Sequence, residues 1–201
     1  MYLWRRLTVE QRQRLLRDRQ ANRLPWHGPP HYASDSGAYL VTATCYEHRA
    51  WIGQTASRMG EFESGLLTTC ASEDAPVCAW TVLPNHYHLL LRTADINALL
   101  RKLGQLHGRK SFEWNAEDGQ RGRKVWHRAA ETGIKSERHF WATLMYVHNN
   151  AVRHKYVQRW QDWPYSSASK WLTEVGHERA TEIWKRFPID DYGKDWDPPD
   201  L

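Results

Sequence analysis

CAWTVLPNHYHLLLRT, residues 78–93, contains two runs of β-type residues separated by Pro84 and Asn85, a pattern that predicts two neighbouring strands joined by a tight turn. Upstream, YLVTATCYE (39–47) is a third β-rich run, and the stretch from Ser57 to Leu67 has a helical pattern. Downstream, Asp95 can cap a helix whose Ile96, Leu99, Leu100, Leu103 and Leu106 fall on one face. The basic, glycine-containing turn EDGQRGRK (117–124) ends that helix, and KVWHRAAE (124–131) reads as a fourth strand. Ser136 then caps a helix with Phe140, Leu144, Val147 and Ala151 as its apolar stripe. The order β-α-β-β-α-β, then a further helix, predicts an α+β fold of the ferredoxin-like split β-α-β kind. Its antiparallel sheet is expected to carry helices on one face and leave the other free for a site.

Extensions flank this core. Thr8 and Gln11 form a T-x-x-Q capping box ahead of Leu15 and Leu16, set among Arg12, Arg14, Arg17 and Arg19, so residues near 8 to 22 read as a basic helix. Pro25, Gly28, Pro29 and Pro30, followed by Ser34 to Gly37, mark a linker. The expected division is 1–37 for the basic helix and linker, 38–157 for the catalytic domain and 158–201 for an aromatic, helical extension. Trp160, Trp163 and Tyr165 in that extension either stack on extruded bases or pin it to the core.

The 201 residues are 41% hydrophobic and 25% charged, which excludes a disordered tail, and the longest apolar runs are too short to span a bilayer. Three cysteines, Cys45, Cys70 and Cys78, are an odd number without C-x-x-C spacing, which argues against a disulfide framework and a cysteine zinc site, so a cytoplasmic location is expected. Twenty-eight basic against 23 acidic residues leave a net charge of +5, compatible with a polyanionic partner. Twelve tryptophans against four phenylalanines add flat faces suited to core packing or to nucleobases.

In HYHLLL, strand alternation puts His86 and His88 on one sheet face and Tyr87 on the other. Such a pair is either a metal clamp or two capped histidines. Tyr146 and Asn150 lie at i and i+4 on the helix after Ser136, so a phenol and an amide oxygen share one flank. If that helix packs beside the histidine strand, Asn150 offers a hard oxygen ligand and Tyr146 a nucleophile; the alternative for Tyr146 is core filling. His148 lies well round the helix from Tyr146 and reads as a packing or surface residue.

LPNHYHLLLRT (83–93), VWHR (125–128), MYVHNNAVRH (145–154) and DWPYSS (162–167), in that order, closely resemble the REP-associated tyrosine transposases, a single-tyrosine HUH transposase family. The resemblance covers roughly residues 38 to 170. It implies that His86, His88 and Asn150 hold a divalent metal, Mg2+ or Mn2+, and that Tyr146 attacks single-stranded DNA to give a 5′-phosphotyrosine, at REP-like hairpins. Ala151 stands where the family usually has proline. The expected function is therefore DNA nicking and strand transfer on single-stranded or hairpin DNA, by a monomer or homodimer with no membrane partner. The rivals are a metal-dependent nuclease that activates water and a domesticated hairpin-binding protein without turnover. Arg101, Lys102, Arg109, Lys110, Arg121, Arg123 and Lys124 are the expected DNA-backbone track, with a solvated helix face as the competing reading. Arg128 joins them as a residue that meets a phosphate or a carboxylate.

Overall fold

A computed structural model describes residues 8–11, 13, 14, 17, 37–189, 192 and 193. The chain divides into two compact units, Met1–Tyr32 and Ala33–Leu201. In the first, the capping box forms: the Thr8 amide donates to Gln11 Oε1 at 2.8 Å and the Gln11 amide to Thr8 Oγ1 at 3.2 Å. Most of the expected basic helix, the proline-rich linker and the last eight residues lie outside the described residues.

The second unit is built on strands β1 (Ala38–Thr44), β2 (Val77–Leu83), β3 (His86–Arg92) and β4 (Ala130–Gly133), with helices α1 (Ala56–Ser72), α2 (Ile96–Glu117), α3 (Glu137–Arg153), α4 (Ala168–Val175) and α5 (His177–Arg186). The sheet order is β2-β3-β1-β4, and every pairing is antiparallel. Local signals set the helix starts: the side chains of Thr55, Asp95 and Ser136 accept from the amides of Arg58, Ala98 and His139.

Strand alternation separates two cores. Tyr39, Val41, Ala43, Tyr87, Leu89 and Leu91 face α1 and α2, where Phe62, Leu66, Leu99 and Leu103 meet them. Ala38, Leu40, Ala79 and Leu90 face α3, α4 and α5 through residues such as Leu144, Val147, Trp171 and Ile183. The second face is therefore covered, contrary to the open face expected from the strand and helix order, because the C-terminal helices are apolar enough on one side to pack there. The fourth strand also differs. Trp126 bridges to Cys45, but regular pairing begins only at Ala130 opposite Thr42. Three steps along β1 thus face four along its partner, which is a bulge. Burial of Trp126, stacked on His107 with ring centroids 4.3 Å apart, accounts for the break.

The outer edge of β2 is sealed by the segment after α3. Tyr165 O accepts from the Val82 amide at 2.8 Å, the Ser167 amide donates to Trp80 O at 3.0 Å, and Trp163 Nε1 donates to Val82 O at 2.9 Å. Trp163 and Tyr165 therefore pin the extension to the core, and Trp160 stacks on His148. Among the described residues no helix is long and apolar enough to cross a membrane.

Candidate active site

His86 and His88, two residues apart on β3, project to the α3 side of the sheet and are 2% and 1% exposed. Tyr87 projects to the other side, where its hydroxyl lies 3.1 Å from His107 Nε2. The histidine rings are held from behind: His86 Nδ1 lies 2.6 Å from Asn85 Oδ1, and His88 Nδ1 lies 2.8 Å from Thr42 Oγ1. Thr42 is the direct β1 partner of His88, so the sheet register places that hydroxyl.

Helix α3 brings the other two groups. Asn150 Oδ1 lies 3.1 Å from His86 Nε2, and the Tyr146 hydroxyl lies 3.5 Å from His88 Nε2. The 3.6-residue period puts both on the flank that meets β3. Ala151 is fully buried and continues the helix to Arg153, so Asn150 keeps a regular helical position despite the absent proline.

Asn150 is fully buried, and its Nδ2 has no partner among the described residues. Two imidazole nitrogens, an amide oxygen and a phenol are donors suited to a divalent cation that keeps positions open for substrate. Adjacent ligands at ~2.1 Å from an octahedral ion lie about 3 Å apart, close to the separation of His86 Nε2 and Asn150 Oδ1. Among the described residues no cluster of three or more His, Cys, Asp or Glu is arranged for a metal.

Tyr146 is 2% exposed. Its ring meets Tyr192 edge-on, and a Cβ on Gly193 would collide with it. The Tyr192 hydroxyl is held by Thr143 Oγ1 at 2.5 Å and His139 Nε2 at 3.0 Å. The phenol is reached from outside only when a neighbour moves aside.

The remaining predicted residues fall elsewhere. His148 Nε2 meets Ser167 Oγ at 2.8 Å, and burial presses its pKa down to about 3. Arg101, Lys102, Arg109 and Lys110 lie on α2, across the sheet from the histidine pair. Arg101 and Arg109 are exposed, whereas Lys110 is tied to Glu113 at 2.7 Å. Arg123 binds Asp118 at 2.7 Å and covers the Trp51 ring, Arg121 covers Phe112, and Lys124 covers Tyr46. Lys124 and the exposed Arg128 flank the segment that bridges to Cys45, close in sequence to Thr44, the β1 partner of His86. Sequence reasoning did not single out Asn85, Thr42, Tyr192, or His154, whose ring lies edge-on to His86 at 4.9 Å. The alternation of β1 could have flagged Thr42, but no local pattern marks the other three.

The sequence and the fold are similar to those of known proteins. A Haemophilus influenzae protein named "Putative REP-associated tyrosine transposase" is 28% identical over 146 residues, which are 65% of this chain and 78% of that protein. The chain resembles a REP-associated tyrosine transposase in sequence. A solved REP-associated tyrosine transposase bound to a REP hairpin aligns with a TM-score of 0.56 at 18% identity, over 70% of this chain and 82% of its own, a likeness that shows the shared fold. No family model matches the chain.

Proposed function

We propose that this chain, like the transposases it resembles, nicks and rejoins single-stranded or hairpin DNA through Tyr146. The observation that carries the reading is the meeting of His86, His88, Asn150 and Tyr146 across the β3–α3 contact, with the phenol 3.5 Å from one histidine and the amide 3.1 Å from the other. His86, His88 and Asn150 would hold Mg2+ or Mn2+, which when bound supplies Lewis-acid charge to the scissile phosphate.

In the first step the phenolic oxygen forms a bond to phosphorus, and the bond from phosphorus to the 3′ oxygen breaks. The electron pair leaves with that oxygen, and one proton is lost by the phenol while one is gained by the new 3′-hydroxyl. The 5′-phosphotyrosine keeps the bond energy, so a 3′-hydroxyl can reverse the step without ATP. Helix α3 fixes the approach of the phenol, and the buried setting strengthens each polar interaction with developing charge. Hairpin DNA as substrate is supported by the hairpin bound to the structural relative. For the DNA backbone we propose Arg101, Lys102, Arg109, Lys110, Arg121, Arg123, Lys124 and Arg128.

The deciding experiment incubates the protein with a 3′-labelled hairpin oligonucleotide and Mn2+ and looks for a denaturant-resistant protein–DNA adduct. An adduct that vanishes in Tyr146→Phe supports the tyrosine mechanism. Cleavage without any adduct would instead favour a water-activating nuclease.

A further inference from the structure

We propose that Asn85 is a positioning residue that fixes His86 as the Nδ1–H tautomer, so that Nε2 presents its lone pair toward Asn150. The argument begins with the orientation of the Asn85 amide. Its Nδ2 lies 3.2 Å from the His48 carbonyl oxygen, an acceptor with no proton to give, so the Asn85 nitrogen must face that carbonyl and Oδ1 must face the other way. Oδ1 then lies 2.6 Å from His86 Nδ1 and can only accept, so the proton belongs to Nδ1. In the neutral ring Nε2 is left with a lone pair, aimed at Asn150 Oδ1 3.1 Å away. Two acceptors facing each other, beside an Asn150 Nδ2 with no partner among the described residues, form an arrangement that a cation completes.

The Asn85 side chain is held so that it cannot swing. The residue is 3% exposed, its carbonyl accepts from the Cys45 amide at 2.7 Å, and the Pro84 carbonyl accepts from the Gly53 amide at 2.9 Å. A Cβ on Gly53 would overlap Pro84, so only glycine lets the 52–54 turn close on this corner. The His48 carbonyl is delivered by two successive non-glycine residues in the left-handed region, Glu47 at φ 58° and His48 at φ 53°. That conformation is disfavoured for a residue with a Cβ. The turn before β3 and the turn after β1 thus converge on one amide, whose task is the orientation of one imidazole.

The tautomer stands on these hydrogen bonds alone, while its consequence for metal affinity rests on the cation site proposed above. Long-range 1H–15N correlation on the metal-free, histidine-labelled protein at about pH 8 reads the tautomer directly; the expected spectrum has the His86 proton on Nδ1, and a proton on Nε2 overturns the proposal. Mn2+ titration followed by water-proton relaxation reads the consequence. Asn85→Ala, checked for folding by its unfolding transition, is expected to weaken Mn2+ binding by about tenfold to a hundredfold. Asn85→Asp keeps the acceptor oxygen and is expected to bind within a few-fold of the parent. If Asn85→Asp weakens binding as much as Asn85→Ala, the amide serves only the His48 turn, and the proposal fails. If the parent itself binds no Mn2+, the cation site fails, and the nitrogen spectrum still decides the tautomer.

Discussion

His86 and His88 sit on one face of β3 and Tyr87 on the other, and the two faces treat buried polar groups differently. Under α1 and α2, Tyr87 and His107 bond to each other, the His107 ring stacks on Trp126, and burial presses the His107 pKa to about 4 while it raises that of Tyr87. Neither group is placed to ionise. Under α3, the histidines are held from behind by Asn85 and Thr42, and their front nitrogens face Asn150 and Tyr146. A pair that closes on itself contributes to the core; two histidines held from behind turn their front nitrogens to the amide and phenol on α3. The difference teaches that burial does not separate the tyrosine paired within the core from the one proposed as nucleophile, since both are at most 2% exposed. What separates them is where their partners point.

The two tyrosines provide the sharpest way to break this comparison. Tyr146→Phe is expected to abolish the covalent adduct and lower cleavage by at least ~1000-fold with hairpin affinity nearly unchanged. Tyr87→Phe should leave cleavage intact but lose about 1–3 kcal/mol of stability, because buried His107 forfeits its partner. A gel assay and a urea melt on both variants decide it, and equal effects would erase the distinction between the faces.

Metal linkage comes next. A hundredfold excess of Mn2+ over its dissociation constant should stabilise the parent by about 2.7 kcal/mol, and the Tyr87→Phe variant equally. His86→Ala and His88→Ala should show no such rise in thermal midpoint. A rise in either would place the cation elsewhere.

The pH dependence of stability follows from the two suppressed histidines, His107 at about 4 and His148 at about 3. In the unfolded chain both titrate near ~6.5, so below that value the unfolded state takes up protons that the folded state declines. Their stabilising contribution is therefore complete above pH ~6.5 and falls as pH drops toward 4, by up to about 1.4 kcal/mol per pH unit for each. Urea midpoints between pH 7 and 5 should show the slope, and His148→Gln should roughly halve it.

The smallest effect sharpens the assignment of one ligand. Asn150→Ala should raise the metal concentration for half-maximal cleavage about tenfold, with Asn150→Asp milder, while His148→Ala leaves it unchanged because His148 faces Ser167.

The strand alternation, the caps at Asp95 and Ser136 and the i, i+4 placement of Tyr146 and Asn150 were legible because each depends on a short repeat of the backbone. The bulge before β4 was not, since it answers to burial of Trp126 against a helix distant in sequence. Charge along α2 read as one basic track, yet the fold sets it across the sheet from His86 and His88, and acidic neighbours such as Glu113 and Asp118 that hold Lys110 and Arg123 declare themselves only in three dimensions. Asn85 looked like a turn residue because its two side-chain partners come from opposite sides of the chain: His86 is adjacent, and His48 is thirty-seven residues away.

The Tyr165–Ser167 segment that lies along β2 has a consequence for how molecules of this protein meet. An uncovered outer strand is a template on which another chain can lay its own backbone, the usual start of stacking and fibre growth. Here one margin of the sheet is already taken by the chain's own continuation, and the other is β4, four residues long and preceded by a bulge. At the β2 margin, copies of this chain brought close together would meet through side chains, without extending one another's sheets.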